Sequence, residues 1–200
     1  KIGLTFLFII SFCYSSLIYF NIFPLNTSEP IQKKSTLVSL SKNEISAREL
    51  YLKGQIYYKR YRKIDNNIAI DFFNKAIDFD DKYSLAYAGL SQAYSQQAFQ
   101  FDGLSIDKNK AIDYAYLAIV HNSQSAESYK ALGTAYYVSG WLSKSIDAYL
   151  KALTLSADNI DTVSNLGFIY SEQGKIALAL NRIEKALKLN PNHVVSMVHA

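Results

Sequence analysis

The feature that most constrains the fold of this 200-residue chain is a spacing of 34 residues that recurs in its second half. Six pairs of residues lie 34 positions apart: Leu132 and Leu166, Gly133 and Gly167, Tyr136 and Tyr170, Gly140 and Gly174, Ala152 and Ala186, and Leu155 and Leu189. A fixed period of this length indicates a repeat architecture, in which each helix–turn–helix unit buries its apolar face against its neighbours. The glycines and alanines allow paired helices to approach closely, and the rings of Tyr129, Tyr136 and Tyr149 fill the gap between them.

Two consecutive motifs carry a resemblance to a known family: Tyr129-x2-Leu132-Gly133-x2-Tyr136 with Ala152, and Leu166-Gly167-x2-Tyr170 with Ala179, Ala186 and Pro191. They resemble the tetratricopeptide repeat (TPR) family, whose period is also 34 residues. The resemblance implies an all-α fold, a TPR α-solenoid whose helix–turn–helix repeats form a right-handed superhelix with a concave groove. We place the array at residues 47–200, with repeats at about 47–83, 84–125, 126–159 and 160–193 and a truncated fifth repeat from 194.

The first two repeats depart from this period. Tyr94 and Tyr136 are 42 residues apart, which predicts about eight additional residues between the helices of the second repeat, within 96–109. Tyr57 and Tyr94 are 37 residues apart, so about three residues are inserted in the turn of the first repeat. The two halves of the array therefore differ in regularity.

The N-terminal segment has a different character, because residues 2–23 contain no charged side chain. A helix of about 22 residues spans roughly 30 Å, the thickness of the hydrocarbon core of a bilayer. We therefore predict a single transmembrane helix within residues 1–23, followed by a linker at 24–46 that contains Pro24 and Pro30. A signal peptide cleaved near Ser15 is the alternative, and it is disfavoured because the apolar run continues past that residue.

The stretch YLKGQIYYKRYRK at residues 51–63 interleaves five cations with four tyrosines. Such a run can bind nucleic acid, because phosphates attract the cations and bases stack on the rings. The repeat register places it instead on the opening helix and first turn of the array, and the formal net charge of the chain is only +4. We therefore expect this chain to bind no nucleic acid.

Catalytic and metal-binding signatures are missing from the sequence. The single cysteine, Cys13, excludes an internal disulfide, and the three histidines are scattered. The sequence contains no glycine-rich phosphate loop, no HExxH motif and no nucleophile elbow. We therefore expect a protein that is not an enzyme and holds neither a metal ion nor a cofactor.

TPR arrays bind proteins or peptides in a concave groove lined by the first helix of each repeat, so the resemblance implies which residues face a partner. By register, these are Tyr51, Gln55, Tyr58, Gln92, Ser95, Gln96, Lys130, Thr134, Tyr137, Ser164, Phe168 and Ser171. The set is polar, aromatic and nearly neutral, and it lacks the lysines and asparagines with which some TPR modules clamp a C-terminal carboxylate. Simple exposure to solvent is the alternative explanation for each of these residues.

The opening of the array, AREL-YLKGQIYYKRYRK and then AIDFFNKAIDFDDKYSLAYAGLSQAY, resembles one branch of the TPR family. That branch is the extracytoplasmic part of ToxR-type membrane-anchored winged-helix regulators of bacteria, although Asp81-Lys82 stands here where Asp-Pro is usual. The resemblance implies a single-pass protein of the bacterial inner membrane with a periplasmic, sensory TPR region. It also implies a DNA-binding domain upstream of this sequence, and it makes a homodimer one candidate assembly. The alternatives are a membrane-tethered or secreted TPR scaffold without a DNA-binding domain, and a regulatory appendage of a nucleotide cyclase.

Overall fold

The structure is a computed structural model, and it describes residues 42–101 and 104–192. These residues form eight α-helices and no strand: α1 (Lys42–Tyr58), α2 (Lys63–Phe79), α3 (Ser84–Gln100), α4 (Ser105–His121), α5 (Ala126–Val138), α6 (Leu142–Leu155), α7 (Ile160–Glu172) and α8 (Ile176–Leu189). The all-α fold expected from the repeat is therefore confirmed.

Helix α1 begins at Lys42, five residues before the predicted start of the array at residue 47. Residues 42–53 contain neither proline nor glycine, so nothing in this stretch interrupts a helix that extends toward the N-terminus. The predicted membrane segment, most of the predicted linker and the truncated fifth repeat lie outside the described residues. Within the described part of the chain, no helix is both long and apolar enough to cross a membrane.

The helices pack as four pairs that match the predicted repeats. Within each repeat the first helix packs against the second: α1 on α2, α3 on α4, α5 on α6 and α7 on α8. The second helix of each repeat also packs against the first helix of the next one. The first helices touch one another directly from α1 to α3 and from α3 to α5, so they line one face of the stack. This arrangement is a TPR helical solenoid.

Each of two large rings on a second helix lies against a glycine on the first helix of its repeat. Phe73 of α2 is fully buried, and a Cβ atom added at Gly54 of α1 would lie 2.5 Å from its ring. In the third repeat, Tyr149 of α6 is only 2% exposed, and a Cβ atom added at Gly133 would lie 2.7 Å from its ring. The close helix approach predicted for Gly133 is therefore observed, and it depends on the absence of a side chain.

The turns inside the repeats require a left-handed backbone. Gly140 and Gly174, which follow α5 and α7, have φ values of +80° and +69°. In the first repeat the same position, four residues after Tyr57, is occupied by Tyr61, and its φ is +53°. A side chain in this region of φ is sterically disfavoured, so the first repeat has a strained turn where the later repeats have glycine.

The insertion predicted for the second repeat is largely helical. Helix α3 has 17 residues, whereas the corresponding helices α5 and α7 have 13 each. Helix α4 has 17 residues and its counterpart α6 has 14. The insertion therefore makes the helices of the second repeat longer than those of the third and fourth repeats.

The basic stretch at residues 51–63 is partly neutralised by one carboxylate. Asp65, near the start of α2, is 3% exposed and forms ion pairs with Arg60 and Arg62. The hydrogen bond from Arg62, together with the charges of both guanidinium groups, lowers the pKa of Asp65 although burial acts in the opposite direction. Two of the five cations in this stretch therefore stabilise the turn between α1 and α2.

Candidate functional site

A cavity of about 770 Å³ draws its lining from the first helix of every repeat, α1, α3, α5 and α7. The turn after α1 and the ring of Tyr149 on α6 complete the lining. Pockets that hold small ligands commonly measure about 300–1,000 Å³. The cavity therefore lies on the face of the solenoid where the register predicted a groove, and its volume suits a ligand.

Nine of the twelve residues predicted to line the groove meet in this cavity: Gln55, Tyr58, Gln92, Ser95, Gln96, Lys130, Thr134, Tyr137 and Phe168. They come from four different helices, and only the stacking of the repeats brings them together. Gln92, Ser95 and Gln96 are buried rather than solvent-exposed, so they lie at the base of the cavity.

The other three predicted residues do not line the cavity. Tyr51 packs into the first repeat, with its ring 5.8 Å from the rings of both Phe73 and Tyr83. Ser164 is 1% exposed and lies within the helix packing, whereas Ser171 is exposed at the end of α7. Each lies within about one helical turn of a residue that does line the cavity.

The cavity also contains residues that the register did not identify: Lys59, Tyr61, Phe99, Gln100, Val138, Tyr149, Asp161, Asn165 and Ile169. Tyr61, Phe99 and Gln100 come from the irregular turn and from the extended end of α3, where the period gives no guidance. The departure from 34-residue spacing was the sequence signal that could have identified them, because residues inserted at the end of a groove-lining helix can lie beside the groove.

Aromatic rings form one wall of the cavity. The ring of Tyr137 lies 6.0 Å from that of Phe99 and 5.8 Å from that of Phe168, the latter in an edge-to-face arrangement. At the opposite end, the rings of Tyr58 and Tyr61 are 6.2 Å apart. Such rings offer a large apolar surface with little loss of side-chain entropy when a ligand binds.

Lys130 is at the centre of a polar network that connects three first helices. Its ammonium lies 2.7 Å from Oε1 of Glu127 and 3.4 Å from Oδ2 of Asp161 on α7. Gln92 of α3 donates a hydrogen bond of 2.7 Å to the same oxygen of Glu127. Burial alone would lower the pKa of Lys130, but the two carboxylates outweigh it and raise that pKa, so the lysine is charged and internally paired.

Several polar atoms at the base of the cavity have no hydrogen-bond partner among the described residues. Both amide atoms of Gln96, the hydroxyl of Ser95 and the amide nitrogen of Gln55 are buried and unpaired. A buried polar atom without a partner costs about 1–3 kcal/mol. Such atoms recover this free energy when a ligand or water molecule supplies the missing hydrogen bond.

Two tyrosines of the cavity, Tyr137 and Tyr149, are uncharged at neutral pH. Burial, followed by the charge of Glu172, raises the pKa of Tyr137 to about 12. Burial likewise raises the pKa of Tyr149 to about 12, against the effect of its hydrogen bonds with Thr134 and Asn165. Among the described residues, no three His, Cys, Asp or Glu side chains converge in a way that could hold a metal ion. The cavity therefore presents rings and neutral polar groups beside the ion pairs of Lys130.

Comparison with known proteins identifies the repeats. Residues 133–174 match the family model described as TPR repeat, and residues 161–193 match the model described as Tetratricopeptide repeat. A peroxisomal targeting signal receptor of Eremothecium gossypii is 26% identical over 175 residues, which are 87% of this chain. The chain spans only 28% of the length of that receptor.

Solved structures share the fold. The thermophilic TPR protein TTC0263 of Thermus thermophilus is 22% identical, with a TM-score of 0.65 over 76% of this chain and 78% of its own. The first TPR of Spaghetti (RPAP3), bound to the HSP90 peptide SRMEEVD, is 22% identical, with a TM-score of 0.52 over 65% of this chain and 97% of its own. Residues 133–193 are therefore tetratricopeptide repeats, and the described part of the chain shares the all-α solenoid fold of the solved TPR proteins.

Proposed function

We propose that this chain binds a segment of a partner protein in the cavity lined by α1, α3, α5 and α7. The observation that carries the proposal is the convergence of all four repeats on one cavity whose base holds unpaired polar atoms. Most buried polar atoms in folded proteins are hydrogen-bonded, so unpaired ones in a cavity lining are available to a bound segment. A bound segment would supply hydrogen bonds to the base and apolar contacts to the ring wall.

The cavity suits a protein segment better than it suits a reaction. Tyr137 and Tyr149 are held in the neutral form, and the buried Lys130 is paired with two carboxylates. We therefore propose a non-catalytic role. The structure of Spaghetti with an HSP90 peptide supports a peptide as occupant only by analogy of fold.

Photo-crosslinking from the cavity tests this proposal. Phe99 lines the cavity and is 62% exposed, whereas Phe79 is 49% exposed at the end of α2 and lies away from it, so both can be replaced with little effect on folding. A photoreactive amino acid at Gln100 of the full-length protein should label a discrete partner, and Phe99→Asp should reduce the yield at least about fivefold because it desolvates a charge against the rings.

The matched variant Phe79→Asp should leave the labelling at Gln100 unchanged. Equal labelling in Phe99→Asp and in the unsubstituted protein would reject the cavity as the binding site. Melting temperatures of both variants show whether a lost crosslink reflects binding or unfolding.

We further propose that the partner segment is sensed outside the bacterial inner membrane, with residues 2–23 as a single membrane anchor and a winged-helix DNA-binding domain upstream. The uncharged run and the opening sequence YLKG at 51–54 with AYAGL at 86–90 support this assignment. Binding in the cavity would then alter the packing or dimerisation of the solenoid and so alter promoter binding.

Two experiments separate this role from a scaffold or a cyclase appendage. A phosphatase that is active only in the periplasm, fused after residue 46, should be active if the TPR region is extracytoplasmic. Deletion of residues 47–200 from the full-length protein should abolish the transcriptional response to the inducer. An unchanged response, or a reading frame upstream of residue 1 without a winged-helix pattern, would contradict the regulatory role.

A further inference from the structure

We infer that the segment held in the cavity is an extended, uncharged peptide with a bulky apolar side chain, and that the side-chain amide of Gln96 binds its backbone. This inference rests on the proposed function and specifies the chemistry of the ligand. Three independent features of the cavity carry it: its balanced charge, its ring wall and its unpaired amide.

The charges of the cavity are balanced from within. Its charged lining residues are Lys59, Lys130 and Asp161, and Glu127 contacts Lys130 from the side of α5. The side chain of Lys130 is 12% exposed, and its ammonium is shared between the two carboxylates. A ligand carboxylate would have to compete with the two carboxylates that already pair with Lys130. The other cation of the lining, Lys59, is exposed on the turn at the edge of the cavity and does not replace Lys130 as a partner. An acidic ligand therefore gains little binding free energy from the charges of the cavity, and an uncharged ligand forgoes no favourable ion pair.

The ring wall provides the apolar contact. Phe99, Tyr137 and Phe168 are aligned along one side at ring separations of about 6 Å, and Val138 and Ile169 lie beside them. Phe99 alone is 62% exposed, which is a large apolar surface for one side chain at the edge of a groove. A bulky aliphatic or aromatic side chain of the ligand would cover this surface and remove it from water.

The amide of Gln96 provides the backbone contact. Gln96 lines the cavity and is 6% exposed, and neither its Nε2 nor its Oε1 has a partner among the described residues. A glutamine amide offers one acceptor and two donors, and a peptide bond offers the complementary donor and acceptor. Both atoms are buried, so the proposed contact includes a rotation of the glutamine side chain that turns its amide toward the ligand. A backbone in extended form leaves both its N–H and its C=O available for this pairing.

The location of Gln96 supports a backbone contact rather than a purely structural role. The Ser95 hydroxyl and the Gln55 amide nitrogen, both in the same lining, are also unpaired. Three unpaired side chains on α1 and α3 therefore share one lining with the rings of Tyr137 and Phe168 on α5 and α7. A peptide that contacts both groups would place its backbone against Gln96 and its apolar side chain against the rings.

Selection from a peptide library tests the inference. Random dodecamer peptides displayed on phage are selected on the full chain, and binders are retained only if Phe99→Asp weakens them. We expect the retained peptides to share an uncharged core with a large apolar residue, and to bind equally well with a free or an amidated C-terminus. The acidic peptide SRMEEVD should bind at least about ten times more weakly than these peptides.

Two variants test the named residues by titration calorimetry with a retained, amidated peptide. Gln96→Leu should weaken binding about tenfold, whereas the matched Gln124→Leu, on the exposed turn before α5, should change it less than twofold. The melting temperature of Gln96→Leu should equal or exceed that of the unsubstituted protein, because leucine removes two buried, unpaired polar atoms. The double variant Glu127→Gln and Asp161→Asn releases Lys130 and should raise the affinity for SRMEEVD about tenfold.

The outcomes separate this inference from the function on which it rests. Retained peptides that are acidic, or that need a free C-terminal carboxylate, would overturn the inference and leave peptide binding in the cavity intact. Unchanged affinity in Gln96→Leu would overturn it in the same way. If no peptide in the library is weakened by Phe99→Asp, the proposed function fails together with the inference.

Discussion

Repeats three and four keep the 34-residue period, whereas repeats one and two carry inserted residues, and the two halves serve the cavity differently. The family models match only within residues 133–193, which is the regular half. The irregular half supplies Tyr61 from its strained turn and Phe99 and Gln100 from the extended α3. The regular half therefore carries the match to the TPR family models, and the irregular half adds Tyr61, Phe99 and Gln100 to the cavity lining.

The same position in the repeat illustrates the difference at the level of single residues. The second helix of each of these repeats contains a buried alanine: Ala76, Ala152 or Ala186. The position three residues before it is occupied by Phe73 in the first repeat, Tyr149 in the third and Ile183 in the fourth. All three are buried, but only the hydroxyl of Tyr149 reaches the cavity and its hydrogen bonds to Thr134 and Asn165. A position that fills the core in one repeat thus contributes to the candidate site in another.

The largest effect is expected at Phe73, because this ring is wedged between Gly54 of the first repeat and Gly89 of the second. Phe73→Ala should lower the free energy of unfolding by about 3–5 kcal/mol, measured by urea denaturation. The control Phe79→Ala, at a half-exposed site on the same helix, should cost less than about 1 kcal/mol. Equal costs in the two variants would show that the first repeat does not depend on this wedge.

Alkaline pH should distinguish Tyr149 from its counterpart Phe73. The folded-state pKa of Tyr149 is raised from 10 to about 12, so its contribution is complete below pH 10 and is lost as the pH rises toward 12. Tyr149→Phe should cost about 1 kcal/mol at pH 7, through its lost hydrogen bonds. Between pH 9 and 12 the variant should lose about 2–3 kcal/mol less than the unsubstituted protein, and parallel pH curves would contradict the shift.

Replacement of the glycines that face this position by alanine should destabilise the protein most where there is least space for a Cβ atom. A Cβ atom at Gly54 or Gly133 would lie within 2.5 or 2.7 Å of a buried ring, whereas at Gly167 its closest neighbour is Cβ of Arg182 at 3.1 Å. Gly54→Ala and Gly133→Ala should each destabilise the protein by about 1–3 kcal/mol. Gly167→Ala should be within about 1 kcal/mol of neutral, because the helix propensity of alanine offsets the smaller overlap. Thermal denaturation of the three variants measures this order, and a reversed order would refute it.

The smallest changes in stability are expected at the turns inside the repeats. There, substitutions in the two halves should change the stability in opposite directions. Gly140→Ala forces a side chain into a left-handed backbone and should cost about 1 kcal/mol. Tyr61→Gly relieves the same conformation and should stabilise the protein by up to about 1 kcal/mol, while it weakens peptide binding by removing a ring from the cavity. Denaturation and calorimetry on both variants test this; a Tyr61→Gly protein that binds as well as before would show that the strain serves no binding role.

Much of the fold could be predicted from the sequence because the repeat is a local property. The pairing of the helices, the turn glycines at Gly140 and Gly174 and the face that carries Gln55 and Lys130 all follow from position within the period. Tyr51, Ser164 and Ser171 lie outside the cavity lining, and periodicity could not show this because it gives the face of a helix but not where a cavity ends. Tyr61 and Phe99 were missed because inserted residues have no counterpart from which a register could be taken.

The sequence by itself determined that this protein is a stack of helix pairs with a polar and aromatic inner face, since a 34-residue period leaves each pair no other apolar partner than its neighbours. Only the tertiary structure decided that Lys130 is neutralised by Glu127 and Asp161, that the Gln96 amide has no partner among the described residues, and that the rings of Phe99, Tyr137 and Phe168 form one wall. These relations connect side chains from different repeats. Their distances depend on how the helices stack and how far α3 extends, which no local pattern specifies.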